Sequence, residues 1–576
     1  MARKTAPTAS APLSETGVIR KDDRGRVRVA LVFPNTYAVA MANLGFQAVY
    51  QLFNQREEVA CERLVLPENP DAPLRSLETG TALRHFDIIA FSLSFENDYP
   101  RIPEILDKSG IPFLHNLREA HHPLVMAGGV ATFLNPEPLA DFFDLFLIGE
   151  AEVLTDPFFN LYLKHRELSK EALLHCLATQ MDGIYTPHFY TPLRNAQGRI
   201  CGLTPASGLP LRVRRVFDPR VSEKATCSPI TSAHSAFPDT FLVETSRGCP
   251  HGCRFCSAGF VYRPPRFRNM DVLEAAIAEG KNRKMKVGLM GTAVSDLKDI
   301  DRICATALEG ELVLSFSSLR ADALTPALLE TLAAGGVKTA TIAPEAGSQR
   351  LRQVINKGLD TSTLLNAAER LVSAGIPNLK LYFMVGLPEE TPEDIAELKA
   401  LVMAIKARFL EASRLKGFMG VITVGVSPFV PKPFTPFQWA AMQSEARLKA
   451  ILKELRKDFG PIPNVRFHDE NPKNSILQAI LARGDRDISR LITALWQEKG
   501  HLKRACMAIQ LDPSPYLAAR SLQDFLPWEI LDHGIRRSFL EHERHKASQA
   551  LSTPPCPMKD CATCGICRER DAFPLA

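Results

Sequence analysis

Short, β-rich apolar runs alternate with amphipathic stretches twice along this chain. That alternation limits its fold more than any other feature. Over 27–165, VRVALVFP, FDIIAFSLSF, PLVMAGG and LFLIGE read as buried strands, and LGFQAVYQLFNQ, YPRIPEILDKSG and VLTDPFFNLYLKHR as helices. Over 239–440 the strands TFLVETS, KVGLMG, LVLSFSS, KTATIAP, NLKLYFMVG and GVITVGVSPF are separated by helical patterns such as STLLNAAERLVSAG and TPEDIAELKALVMAIKARF. Strands joined through helices run parallel. The expectation is an α/β protein: an N-terminal doubly wound parallel sheet, then a partial (β/α)6 TIM-type barrel. Ligands of such sheets and barrels sit at the carboxyl ends of the strands. On the first sheet that rim is NTYAVAMANLG (35–45), SFENDY (94–99) and GGVATFLNPEP (128–138).

The remainder frames these two units. Residues 1–26, rich in Ala, Ser, Thr and Pro, read as a disordered lead-in. Residues 166–238 read as a turn-rich connector, 441–545 as a helical C-terminal domain, and 546–576 as a cysteine-rich tail. No apolar run is long enough to span a bilayer, and the N-terminus has no apolar signal core, so a cytoplasmic protein is expected. A net charge of +5 over 576 residues permits a nucleic-acid or anionic partner but does not call for one.

Seven of the thirteen cysteines fall in two tight groups, which suits metal ligation better than disulfides in a reducing compartment. In RGCPHGCRFCSAGF (247–260), Cys249, Cys253 and Cys256 are spaced C-x3-C-x2-C directly after the first barrel strand. Closed zinc sites take four ligands, and cubane clusters usually take four cysteines. Three thiolates on one tight loop would leave one iron of a [4Fe–4S] cluster open for chemistry. The alternative is a structural site completed by a distant His or Cys. Gly248 and Gly252 let the loop curl, Glu244 and Arg247 either serve the site or are simple loop residues, and His251 reads as a solvated loop residue.

This loop, with Phe255 before its last cysteine, resembles that of the radical S-adenosylmethionine (SAM) superfamily. The resemblance implies a [4Fe–4S] cluster whose open iron chelates SAM, and reductive cleavage of SAM to a 5′-deoxyadenosyl radical. IAPEAGSQRLRQVINKG (342–358) is similar to the family's Glu-x-Gly-Ser segment, which makes Glu345 and Ser348 expected SAM contacts. SSLRAD (317–322) adds Ser317 and Arg320, and LYFMVGLPEETPEDI (381–395), with Gly386, resembles the wall of the adenosine pocket. Where many members carry Gly-Gly-Glu, this chain reads MGTAVSD (290–296), so no glutamate is carried over.

A front α/β domain followed by such a barrel resembles the cobalamin (B12)-binding subgroup. AGGVATFLNPEPLADFFDLFLIGEAE (127–152) is similar to its Gly-Gly…Asn-Pro-Glu…Gly-Glu pattern, and SPFVPKPFTPFQW, HDENP and FLPWEILDHGI extend the likeness to a largely uncharacterised family. The implied cobalamin would lie between the front domain and the barrel mouth. The Asp-x-His-x-x-Gly motif that supplies an axial His elsewhere is absent, AMANLG (40–45) standing in its place. The proline-rich loop 427–439 either walls a substrate pocket with Phe429, Phe434, Phe437 and Trp439 or serves as a rigid crossing.

In the tail, Cys556, Cys561, Cys564 and Cys567 are spaced C-x4-C-x2-C-x2-C, which fits a second [4Fe–4S] cluster or zinc. The functional expectation is a radical SAM enzyme, with cobalamin-dependent methyl transfer as its natural reaction and a flavodoxin- or ferredoxin-type reductant as partner. The alternatives are sulfur transfer to tRNA or protein, and a non-catalytic iron–sulfur or RNA-binding protein. The substrate is not named by the sequence.

Overall fold

The computed structural model describes residues 14–292, 294–316, 319–558 and 561–569. Five parallel strands form the front sheet in the order Val59–Leu66, Val27–Thr36, Ile88–Ser92, Leu124–Gly128, Leu145–Leu147, and Ile184–Tyr185 closes one edge antiparallel. In chain order the parallel strands run second, first, third, fourth, fifth, the doubly wound order whose crevice opens where the winding reverses. Within Val27–Thr36 the stretch 29–33 is an unbroken apolar run because both its faces are covered. The helix Leu44–Gln55 starts where the Asn43 side chain accepts from Phe46 N–H at 2.9 Å.

The second unit holds seven parallel strands in two hydrogen-bonded groups. Thr240–Glu244, Lys286–Met290 and Leu314–Phe316 form one. Thr339–Glu345, Asn378–Val385, Ile422–Pro428 and Val465–Asp469 form the other. The longest helix between them, Pro392–Lys416, opens on a Thr391 capping box with Pro392 in its first turn and closes on Gly417 at φ 74°. The helices that follow, such as Pro472–Arg483 and Ile488–Gln497, make the helical C-terminal region.

Three readings need correction. The lead-in is not structureless up to residue 26: Glu15–Thr16 pairs with Thr231–Ser232, and Glu15 bonds the buried Arg63 at 2.8 Å. The connector contributes the helix Lys170–Gln180 and the edge strand of the front sheet, so that unit runs past residue 165. The seventh barrel strand lies in the segment expected to be helical. VRFHD sits at the sheet edge, half exposed, and therefore shows no apolar run. Of the two readings of the proline-rich loop, the rigid crossing fits: Phe429, Phe434, Phe437 and Trp439 are buried in packed core, and none lines the cavity between front sheet and barrel. Gln438 Oε1 accepts from Phe434 N–H at 2.9 Å and Trp528 Nε1–H at 2.8 Å, so the proline-rich loop is a tie to FLPWEILDHGI. No helix among the described residues is long and apolar enough to cross a membrane.

Candidate active site

The three-cysteine loop is an excursion between two paired ends, Ser246–Arg247 and Arg266–Phe267. Gly248 enters it at φ 83°, where a Cβ would fall 2.7 Å from Tyr262 O, so only glycine fits. Between the second and third cysteines Arg254 turns into the protein. Its Nη1 donates to Gln353 O and Val354 O at 3.0 and 2.9 Å, at the carboxyl end of the helix Gln349–Val354. Its other side meets Glu543 at 3.1 Å and Leu551 O at 2.7 Å. Asn356 Nδ2 donates to Gly252 O at 3.1 Å, and Thr292 Oγ1 to Gly248 O at 2.6 Å. The loop is thus held from behind.

Cys253 is buried and Cys249 and Cys256 half-buried. Burial pushes the Cys249 thiol up to about 11 and the Cys253 thiol up to about 12, and raises Cys256. Thiols this reluctant to ionise in water give up their protons when metal takes their place. Two cations stand ready to offset the thiolates. Lys357 ion-pairs Glu345 at 3.1 Å and lowers Cys253 and Cys256, and Arg320 also lowers Cys253. Among the described residues no three His, Cys, Asp or Glu side chains converge on a point for one ion. A cubane asks for something else, since each of its cysteines binds its own iron.

The other expected residues divide. Arg320 lies beside the thiols, paired with Asp322 at 2.8 Å and 3.7 Å from Asp296. Glu345 sits at a bulge with φ 66° and faces Lys357. Ser348 is committed elsewhere: its hydroxyl donates to Asp394 at 2.5 Å and accepts from Leu351 N–H at 2.9 Å, capping a helix. Gly386 makes a left-handed turn at φ 77° whose N–H donates to Glu390. Phe255 packs with Leu387, Phe429 and Phe437. Ser317 lies outside the described residues. His251 is not a free solvated residue, because Nε2 bonds the Asp296 carboxylate. Lys357, in the segment 342–358 whose resemblance was noted, and Asp296, in the segment 290–296 where the pattern departs, were both missed because ion pairing is not visible in a motif.

Immediately beside this loop the two units enclose a cavity of ≈ 510 Å³. The front sheet contributes residues 43–45, 94 and 128–130 from the three rim segments, with Ser92 at a strand end and Phe91, Met126, Phe133 and Leu147 as apolar wall. The barrel contributes Glu244, Ser246, Arg247, Gly248, Tyr262 and Thr292. The size and apolar lining suit a cofactor site. Ser246 lies on its wall, its Oγ buried with no hydrogen-bond partner among the described residues. None of the lining residues is a histidine. Asn43 caps its helix and donates to Ser94 Oγ at 3.0 Å.

Glu150 ties the cavity to the cysteine loop. It leaves the front domain's Gly-Glu segment fully buried, pairs Arg247 at 3.0 Å and Arg266 at 2.6 Å, and accepts from Asp218 N–H at 2.9 Å. Arg247, two residues before Cys249, also holds Glu152 and Glu244, each at 2.8 Å. Glu244 and Arg247 therefore serve the loop as struts.

Residues 243–402 match the model of the Radical SAM superfamily, and residues 45–187 that of Radical SAM proteins, N-terminal. The chain belongs to the radical SAM superfamily. The radical SAM chain is 31% identical over 473 residues to the uncharacterised protein MJ0966 of Methanocaldococcus jannaschii, covering 81% of this chain and 90% of that protein. It is 27% identical over 161 residues to the uncharacterised methyltransferase PH0819 of Pyrococcus horikoshii, 27% of this chain and 34% of that one. Its fold is that of the radical SAM methyltransferase TsrM from Kitasatospora setae, whose structure holds cobalamin and a [4Fe–4S] cluster. There the TM-score is 0.54 at 14% identity, over 84% of this chain and all of that one. Radical SAM membership implies a [4Fe–4S] cluster and SAM as cofactors. Three thiols on one held loop, with Lys357 and Arg320 beside them, fit that pair.

Proposed function

We propose that this radical SAM enzyme is a cobalamin-dependent methyltransferase, with Cys249, Cys253 and Cys256 holding the cluster and the cavity between front sheet and barrel taking the corrinoid. The observation that carries it is that one apolar cavity is lined both by the rim of the doubly wound sheet and by the residues leading into the first cysteine. The fold shared with TsrM supports the same reading. Bound here, the cluster and SAM supply reductive radical chemistry, and cobalamin supplies a methyl carrier.

The chain's own residues do the rest. Arg320 and Lys357 give cations for the SAM carboxylate, and Glu345 a carboxylate for its amino group. Phe255 and the turn at Gly386 stand where an apolar wall for the adenosine is needed. The apolar cavity keeps water from its occupant. With no histidine on its wall, the protein offers the cobalt no imidazole ligand. A flavodoxin- or ferredoxin-type protein supplies the electron.

The test is anaerobic reconstitution with iron, sulfide and hydroxocobalamin, desalting, then dithionite and SAM. The corrinoid bands are expected to survive desalting. 5′-Deoxyadenosine is expected from the wild type and none above background from Cys253→Ala. S-adenosylhomocysteine is expected only when cobalamin is loaded. A desalted protein without corrinoid bands would falsify the cobalamin reading and leave the radical SAM assignment standing.

A further inference from the structure

The four tail cysteines lie outside the site just described, and the structure does not leave them as a loose end. After the helix Arg537–Ser548 the chain turns back along the outer side of the three-cysteine loop. Asn356 bridges the two: its Nδ2 donates to Gly252 O and to Thr553 O, both at 3.1 Å, and its Oδ1 accepts from Thr553 N–H at 2.8 Å. Arg254, inside the loop, donates to Leu551 O at 2.7 Å. Cys556 N–H donates to Pro250 O at 2.7 Å, so the first tail cysteine is joined by its backbone to the residue that follows Cys249.

Cys561 and Cys564 have a built bed. Cys564 is 4% exposed, and its carbonyl accepts from Arg536 N–H at 2.9 Å. Gly565 passes Gly534 and Arg536 at φ 107°, where a Cβ would stand 2.9 Å from Arg536 Cγ and 3.1 Å from Gly534 O. Cys561 Sγ bonds the Thr563 hydroxyl at 3.2 Å and accepts from Thr563 N–H at 3.4 Å. The Arg536 guanidinium reaches over the same turn, its Nη2 donating to Ala562 O and, at 2.9 Å, to Thr563 O. The tail thiols therefore sit on the same wall as the catalytic loop, with guanidinium charge to offset thiolates.

We propose that Cys556, Cys561, Cys564 and Cys567 hold a second [4Fe–4S] cluster, docked through Cys556 and Pro250 against the loop that carries the first, and that it passes electrons to it. Four thiolates close all four corners of a cubane, so this cluster has no open iron and no chemistry of its own. Zinc would draw all four sulfurs onto one ion. The metal content of the reconstituted protein separates the two. The electron balance is simple. One electron from a flavodoxin- or ferredoxin-type donor reduces the tail cluster, and its transfer to the catalytic cluster leaves the tail cluster oxidised again, ready for the next. The proposal rests on the catalytic loop carrying its own cluster, and the test counts the two separately.

Full-length protein is reconstituted anaerobically as wild type, as Cys249→Ala/Cys253→Ala/Cys256→Ala, and as Cys561→Ser/Cys564→Ser. Iron, acid-labile sulfide and zinc are measured, and Mössbauer and EPR spectra are recorded before and after reduction. The expected content is about eight irons and eight sulfides in the wild type and about four of each in either variant. The wild-type EPR signal of the reduced protein is expected to show spin coupling that neither variant shows. A loop variant that keeps four irons demonstrates that the tail site forms independently, even if the tail variant folds poorly. A loop variant with no iron, or one holding a single zinc, overturns the tail cluster while leaving the catalytic one intact. A wild-type spectrum equal to the sum of the two variants overturns the docking and the electron path.

Discussion

At Glu150 two opposing effects meet on one carboxyl. Burial pushes it up, and the guanidiniums of Arg247 and Arg266 override that, holding it at about 2 against an ordinary 4.5. A carboxyl whose folded value lies below its unfolded one contributes stability above about pH 4.5, and that contribution is lost as pH falls toward 2. The amount is on the order of 3 kcal/mol at neutral pH. Glu150→Gln is therefore expected to lower the urea midpoint at pH 7, with the gap to wild type closing as the titration approaches pH 3. A gap that stays constant across that range would refute the assignment. Arg254 makes the complementary point. It lies between Cys253 and Cys256 in sequence, yet its side chain runs away from them to Glu543 and the helix carbonyls. The residue type between the cysteines reflects what anchors the loop from behind.

Among elements, the rim of the front sheet does the most to shape the cavity. The strand Leu124–Gly128 ends on Gly129, which turns at φ 105° against the backbone of Leu93, leaving 2.4 Å between its would-be Cβ and Leu93 O. An alanine there must take a strained backbone and move the neighbouring rim, at about 1–3 kcal/mol. Gly129→Ala is expected to reduce the corrinoid retained after desalting several-fold while the iron bound by the cysteine loop stays at the wild-type level. Unchanged retention would place the cobalamin elsewhere. Pairing the two readouts separates a local change in the front domain from a general loss of folding, because the cysteine loop is fastened from the barrel side by Asn356, Thr292 and Arg254.

Across the whole molecule, the front domain is clamped to the proline-rich loop and the helical C-terminal region by buried polar contacts as well as by apolar packing. Glu96 meets Lys432 at 2.5 Å and accepts from Gln478 Nε2–H at 2.9 Å. Asn135 Nδ2 donates to Ala482 O at 3.0 Å and Gly484 O at 2.8 Å. Glu137, 1% exposed, is paired by Arg486 at 3.0 Å. Removing one member of a buried pair strands the other, which costs about 3–5 kcal/mol. Arg486→Met is expected to weaken the interdomain contact to that degree and to split a single calorimetric transition into two. One unsplit transition at the wild-type temperature would show that the pair carries no such load.

The sequence by itself determined both α/β units, the six strands of the barrel read from apolar runs, the rim segments of the first sheet and the loop of Cys249, Cys253 and Cys256. These are local or periodic signals: a buried strand must be apolar along its length, and three ligands of one cluster on one loop need fixed spacing. The edge strand Val465–Asp469 escaped because half-exposed edge residues carry no apolar run. The paired strand at Glu15–Thr16 escaped because two ladder residues leave no pattern. The tertiary structure alone decided what each polar group is for. It committed Ser348 to a helix cap, made His251 a partner of Asp296, buried the aromatics of the proline-rich loop, and brought Glu150, Arg247 and the tail strap to one loop from positions up to hundreds of residues apart. Ion pairs and backbone contacts between distant segments depend on where the fold brings them together, and no periodicity in the chain records that.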